Sequence, residues 1–148
     1  MKRVLCLVLT AAMFLTMGTF AYADSSETVQ TETVYYPNGY YSVTEIHTFA
    51  ARANELVSGY KLQSIYNTYH EVIITFQVNG TFKYNGTTCV ATLASYDYDI
   101  IADGWRFVSG NAYCDSNVAV AEGEFKHPLL GTVETTVALA CSPTGVLS

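Results

Sequence analysis

Apolar and polar residues alternate along most of the chain, and this spacing predicts half-buried β-strands rather than helices. The pattern is clearest between residues 70 and 99. Two Asn-Gly pairs divide this stretch into three β-rich runs, and Asn-Gly is the strongest short-range signal for a hairpin turn. The sequence therefore predicts an antiparallel sheet with turns at Asn79-Gly80 and Asn85-Gly86.

Seven or eight such strands, separated by turn signals, predict an all-β fold. We expect an antiparallel β-sandwich with an immunoglobulin-like architecture, and a small up-and-down β-barrel is the alternative. Residues 50–57 contain good helix formers followed by a glycine stop, so they fit either a two-turn helix or a strand connection.

The first 23 residues have the features of a signal peptide. Lys2 and Arg3 precede an apolar run, and Ala21-Tyr22-Ala23 supplies a cleavage site of small residues. The polar residues 24–34 are expected to form a flexible tail, and residues 35–148 a single β-sandwich domain. The mature protein is thus expected to be secreted and extracellular, without insertion into a membrane.

The 125 residues that follow the cleavage site carry five basic and thirteen acidic side chains, a net charge of −8. Such an acidic chain lacks the basic patch that nucleic acid binding requires. Three cysteines remain, Cys89, Cys114 and Cys141, so at most one intramolecular disulfide can form. Alternation places Cys114 and Cys141 on inward faces, which makes this pair a possible disulfide, and three buried free thiols are the equal alternative.

The C-terminal sequence Thr-Val-Ala-Leu-Ala-Cys-Ser-Pro-Thr-Gly-Val-Leu-Ser follows a strand that begins at Gly104-Trp105. In this part of the chain, about the last 70 residues, the protein resembles small secreted β-sandwich proteins of Gram-positive, clostridial-type bacteria that are uncharacterised. The resemblance implies a secreted bacterial β domain and transfers no functional residue.

Few residues suggest catalysis or metal binding. Asp97, Asp99 and Asp103 form the densest acidic cluster and are weak calcium candidates, although the spacing of an EF-hand loop is absent. Glu45 and His47 share one face of a predicted strand, as a base and its orienting group would. No nucleophile motif and no phosphate-binding loop is present, so we predict neither a catalytic residue nor a cofactor.

Aromatic residues give the better functional signal. Tyrosine combines a rigid apolar ring with a polar tip, which suits the recognition of proteins and glycans. The candidate binding residues flank two predicted turns: Tyr36, Tyr40, Tyr41, Tyr96, Tyr98 and Trp105.

Three functions follow from these observations. The first is a non-catalytic binding module for an extracellular protein or glycan. The second is a secreted hydrolase that uses Asp97 and Asp99 with His47. The third is a surface component that assembles with itself through exposed strand edges.

Overall fold

The computed structural model describes residues 30–52 and 55–148, and within these ranges the chain forms strands and no helix. Consequently, no helix there has the length and apolar character needed to cross a membrane. The strands are β1 (Gln30–Tyr35), β2 (Tyr41–Arg52), β3 (Leu56–Tyr66), β4 (Val72–Tyr84), β5 (Cys89–Ile100), β6 (Arg106–Asp115), β7 (Val118–His127) and β8 (Gly131–Ala140).

The strands form two antiparallel sheets, one of β1 to β5 and one of β6 to β8, in which each strand pairs with its neighbour in sequence. The sheets pack face to face, which confirms the predicted β-sandwich and excludes the closed barrel. Immunoglobulin domains connect their strands in Greek-key order. Here the likeness lies in the two-layer architecture, because the strand order is that of two meanders.

The core between the sheets is held by aromatic rings that lie over glycines. A Cβ atom on Gly123 of β7 would lie 2.7 Å from Cε2 of Phe76 on β4. On the other sheet, a Cβ atom on Gly80 would lie 2.7 Å from the Phe82 ring and 3.0 Å from the Cβ of Ala119. Phe76, Phe82 and Ala119 are all fully buried. The sheets therefore interlock at positions where any larger side chain would overlap a neighbour.

This packing corrects the prediction of a hairpin turn at Asn79-Gly80. Strand β4 continues through this pair, and Gly80 lies opposite Gly59 on β3 and Ala94 on β5. The glycine is present because the Phe82 ring on its own strand and Ala119 on the facing sheet both lie over it, not because the chain turns. The second pair, Asn85-Gly86, does lie in a turn, where Gly86 has a φ of 85°.

One segment assignment also differs from the sequence-based expectation, and the described part of residues 50–57 fits the strand connection, one of its two alternatives. Residues 30–34, assigned to the tail by their polarity, belong to β1, because their backbone groups pair with residues 42–46 of β2. In the helix-like segment, residues 50–52 end β2 and Leu56 begins β3, with Arg52 opposite Leu56. The predicted signal peptide, residues 1–23, and residues 24–29 of the predicted tail lie outside the described residues.

The two sheets differ in width, and this difference creates a ledge. Strand β8 packs across β3 and β4, β7 packs across β4 and β5, and β6 packs beside β5. Strands β1 and β2 extend past β8, and the inward-facing Glu32 and Val34 of β1 are exposed, whereas Ser42 and Ile46 of β2 are buried. The turns at 36–40 and 67–71 lie at one end of the sandwich with the start of β8, and we call this the tyrosine end. The three cysteines lie at the opposite end, called the cysteine end.

We expect Gly123→Ala to lower the free energy of unfolding by about 1–3 kcal/mol, because the new methyl group overlaps the Phe76 ring in a packed core. Urea denaturation measures this change. Adding Phe76→Leu should recover part of the loss in a double-mutant cycle. Strictly additive effects of the two substitutions would contradict the interlocking described here.

Candidate functional site

The β1–β2 turn presents four tyrosines at the tyrosine end. Tyr36 N donates to the carbonyl of Tyr40 at 2.8 Å, and Gly39 N donates to the carbonyl of Tyr36 at 3.0 Å. Gly39 allows this tight turn because its φ is 82°. A Cβ atom there would lie 2.9 Å from Thr68, so this turn packs against the β3–β4 turn.

On the outer face of the larger sheet, the tyrosines form a ladder across three strands. Tyr41 stacks on Tyr66 with ring centroids 4.6 Å apart and an interplanar angle of 2°, and Tyr35 lies 5.6 Å from Tyr41. His70 Nδ1 lies 3.2 Å from the Tyr41 hydroxyl. Because the rings of Tyr41 and Tyr66 stack face to face, they present ring edges and hydroxyl groups to solvent rather than flat ring faces.

On the inner side of the same turn lies a cavity of about 350 Å³. We call it the tyrosine cavity. It is bounded by the turn, by one residue of β3 and by the first residues of β8. Its lining residues are Tyr36, Pro37, Asn38, Tyr40, Ile65, Thr132, Val133 and Glu134.

A buried polar network lies beside the cavity and joins the two sheets. The Thr135 hydroxyl on β8 donates to Oε1 of Gln63 on β3. Gln63 Nε2 donates to the Ser42 hydroxyl at 3.3 Å, and the Tyr36 hydroxyl lies 3.3 Å from the same oxygen. Ser42 is fully buried, so these hydrogen bonds fix the ledge against the edge of β8.

Glu134 connects the tyrosine cavity with an acidic depression on the outer face of the smaller sheet. This depression has a volume of about 390 Å³, and Glu122, Glu124 and Glu134 contribute to its lining. Glu124 and Glu134 lie directly opposite each other on β7 and β8. Like charges at opposite positions repel, so a cation beside Glu134 would be favourable.

The structure separates the six predicted binding residues into two groups. Tyr36, Tyr40 and Tyr41 come together at the β1–β2 turn. Tyr96 and Tyr98 face the other sheet, where Tyr98 stacks on Phe107 at 4.1 Å. Trp105 is buried and its ring centroid lies 5.4 Å from that of His127. Tyr96 and Trp105 pack in the sandwich, Tyr98 is 40% exposed on the edge strand β5, and none of the three joins the tyrosine turn.

The acidic candidates do not converge. Asp97 and Asp99 lie on the outer face of β5, where Asp97 accepts a hydrogen bond from Asn79 at 3.2 Å, and Asp103 lies in the exposed turn after β5. Across residues 30–52 and 55–148, no cluster of three or more His, Cys, Asp or Glu side chains is arranged to hold a metal ion.

His47 hydrogen-bonds to Glu45 at 3.4 Å, as their spacing on one face predicts, and stacks on Tyr60. Strands β3 and β4 separate it from Asp97 and Asp99 on β5. Three strand spacings amount to about 14 Å, so the structure does not bring these groups together around one substrate bond.

Of the two alternatives for the cysteines, the pairing of Cys114 with Cys141 does not fit this fold. Cys114 is exposed on β6, whereas Cys141 is buried directly after β8. Strand β7 lies between β6 and β8, which separates them by about 10 Å. A disulfide requires Cα atoms within about 7 Å. Alternation correctly put both residues on inward-facing positions, but it carries no information about the intervening strand.

Sequence reasoning missed the cavity residues that come from other strands. Ile65 and Val133 are ordinary strand residues, and Glu134 belongs to a regular alternation. No local signal distinguishes them, since they meet only when β8 is placed across β3. The contacts of Tyr66 and His70 with Tyr41 also have no local sequence signal, because they depend on strand register and on the position of the β3–β4 turn.

Compared with models of known protein families, with curated proteins and with solved structures, the chain gives no match. The function proposed below therefore depends on the geometry of the site.

We expect Ser42→Ala to lower the free energy of unfolding by about 1–3 kcal/mol, because Gln63 Nε2 and the Tyr36 hydroxyl lose a buried partner. Urea denaturation is the measurement. Ser95→Ala, on the exposed face of β5, is the matched control and should change stability by less than about 0.5 kcal/mol. Equal effects of the two substitutions would contradict a structural role for the network.

A second prediction concerns Tyr41 at alkaline pH. Desolvation, followed by the neighbouring Tyr66 and Tyr35, raises the pKa of Tyr41 above its ordinary value of 10.0. The unfolded chain then releases this proton at lower pH than the folded chain, so stability is lost as the pH rises beyond 10. Tyr41→Phe should weaken this loss, as measured by melting temperatures on both sides of that pH. An unchanged pH dependence in the variant would contradict the assignment.

Proposed function

We propose that this protein is a secreted, non-catalytic binding module that captures an extended segment of a partner protein along strand β8. In this mode of recognition, the segment adds a strand to an exposed sheet edge. Main-chain hydrogen bonds supply affinity, and side-chain pockets beside the edge supply specificity. The observation that carries the proposal is the unpaired edge of β8 beside the tyrosine cavity.

The hydrogen bonds at the end of β8 show which backbone groups face this edge. Ala140 N donates to the carbonyl of Ser148, and Ser148 N donates to the carbonyl of Ala140. Because the register between β7 and β8 is regular, residues at even positions along β8 present their N–H and C=O groups to the same side. These residues are Thr132, Glu134, Thr136 and Ala138.

The tyrosine cavity gives the added strand a side-chain pocket. It opens beside Val133, whose side chain points inward, and its walls include Ile65 and the Tyr36 and Tyr40 rings. An inward-facing apolar side chain of the captured segment would enter it. The ledge formed by β1 and β2 would then cover the rest of that segment's inward face.

The other strand edges are less suitable. Within the described residues, strand β1 has six residues, and its exposed Glu32 lies on the ledge. Strands β5 and β6 lie together on the opposite side, where the Tyr98–Phe107 stack closes the space between the sheets. Edge β8 combines a long run of outward-facing backbone groups with the tyrosine cavity and the ledge.

Charge indicates the chemistry of the segment. Glu134 lies at this edge, faces Glu124 on β7, and belongs to an acidic chain. A basic residue placed opposite Glu134 would form a favourable cross-strand pair and reduce the repulsion between the two carboxylates. The preferred segment therefore alternates apolar residues, facing inward, with basic residues, facing outward.

A binding experiment with immobilised peptides tests the proposal. The full chain, purified after export from a bacterial host, should bind peptides that alternate valine with lysine more tightly than peptides that alternate valine with glutamate. Thr136→Pro removes an outward-facing N–H without breaking the β7–β8 ladder, which an edge strand tolerates. We expect it to lower affinity at least about tenfold, since each backbone hydrogen bond contributes about 1 kcal/mol and the proline ring also obstructs the edge.

Thr136→Ala is the matched control, because it changes the same side chain and keeps the N–H group. Tyr36→Ala should also weaken binding by opening the cavity wall. Binding that is unaffected by Thr136→Pro, or that occurs only on a parallel array of glycans, would overturn the proposal. Dimers that Thr136→Pro abolishes would instead support self-assembly through this edge.

A further inference from the structure

The cysteine end holds a pair of thiols that the sequence pattern did not single out. Cys89 is the first residue of β5 in the larger sheet, and Cys141 directly follows β8 in the smaller sheet. Both residues lie at the cysteine end, where the neighbouring Cys89 contributes to the raised pKa of Cys141. Cys141 is a buried member of the core, and Cys89 is half-buried and packs against the core.

Backbone hydrogen bonds bring these two positions together from several directions. Gly86 N, in the turn before Cys89, donates to the carbonyl of Pro143 at 2.9 Å. On the other side, the β6–β7 turn bridges the two strands, because Ala91 N donates to the Ser116 carbonyl and Cys141 N donates to the Asn117 carbonyl. These hydrogen bonds therefore hold the start of β5 and the residue after β8 close together on both sides.

We infer that Cys89 and Cys141 are a disulfide-forming pair, and that their oxidation links the two sheets of the sandwich covalently. The two thiols are reduced in this structure. A disulfide here would close a loop of 53 residues, from β5 to the end of β8. Constraining the unfolded chain in this way stabilises the folded state, and the effect grows with loop length.

The oxidant required is a disulfide-containing donor, such as a thiol–disulfide oxidoreductase or oxidised glutathione. The Cys89 thiolate attacks one donor sulfur, which forms a mixed disulfide and releases the other donor sulfur as a thiolate. Cys141 then loses its proton and attacks Cys89 Sγ, forming the protein disulfide and releasing the second donor thiolate. Two electrons pass to the donor disulfide, which takes up the two protons and becomes two thiol groups.

The surroundings of the two thiols explain why Cys89 reacts with the donor before Cys141 does. Burial, and then the neighbouring Cys89, raise the pKa of Cys141 to about 12, so Cys141 is protonated at neutral pH. Its S–H group points to the carbonyl of Ser142 at 3.3 Å. Cys89 is the more accessible of the two and is therefore the residue that meets the external donor.

Peptide mapping tests the pairing directly, because trypsin places each cysteine of the domain on its own peptide. Cleavage after Lys83, Arg106 and Lys126 separates residues 84–106, 107–126 and 127–148. The full chain is exported from a bacterial host, purified, incubated with oxidised glutathione, alkylated and digested without reduction. We expect peptide 84–106 joined to peptide 127–148, with Cys114 alkylated on peptide 107–126.

Thermal unfolding gives an independent readout. Reducing the oxidised protein should lower its melting temperature by about 10–20 °C, the shift expected for a loop of this length in a domain of this size. Cys89→Ser should abolish this response to reductant, and it leaves the buried Cys141 in place. Cys114→Ser is the matched control and should respond as the wild type does.

Three outcomes would overturn the inference. The first is a disulfide that includes peptide 107–126, and the second is alkylation of all three cysteines after treatment with the donor. The third is a melting temperature that responds to reductant equally in the wild type and in Cys89→Ser.

Discussion

The close contact of Phe76 with Gly123 sets the distance between the two sheets, and the rest of the structure depends on it. The ring occupies the space that a side chain on β7 would need, and Ala119 fits over Gly80 in the same way from the opposite sheet. Protein interiors are close-packed, so such complementary positions allow few relative placements of two layers. Once Phe76 lies over Gly123, β8 must cross β3 and β4, and the positions of the ledge and the cavity follow.

The unequal width of the sheets has a structural and a functional consequence. Five strands face three, so β1 and β2 extend past β8 and leave a ledge beside an unpaired edge. Open edges expose a protein to aggregation, and here the Tyr36–Ser42–Gln63–Thr135 network keeps the ledge and the edge in a fixed relation. The same arrangement provides backbone groups, a cavity and a carboxylate on one surface, which is what recognition of an extended segment requires.

The two ends of the sandwich have different characters because hairpins place alternate turns at opposite ends. The tyrosine end collects polar turns, aromatic edges and the cavity. The cysteine end collects short turns that are tied together by backbone hydrogen bonds around Cys89 and Cys141. A covalent link at the cysteine end would leave the tyrosine end unobstructed, so stabilisation and binding are separated in space.

The sequence alone determined the fold class, because alternation along a strand decides which side chains share a face. It placed Tyr36, Tyr40 and Tyr41 around one turn. It did not determine that Asn79-Gly80 lies within a strand, that residues 30–34 pair with β2, or that β7 separates Cys114 from Cys141. Those outcomes depend on contacts between residues distant in sequence. Alternation is a local property of one strand, whereas sheet pairing and the stacking of two sheets determine which strands become neighbours.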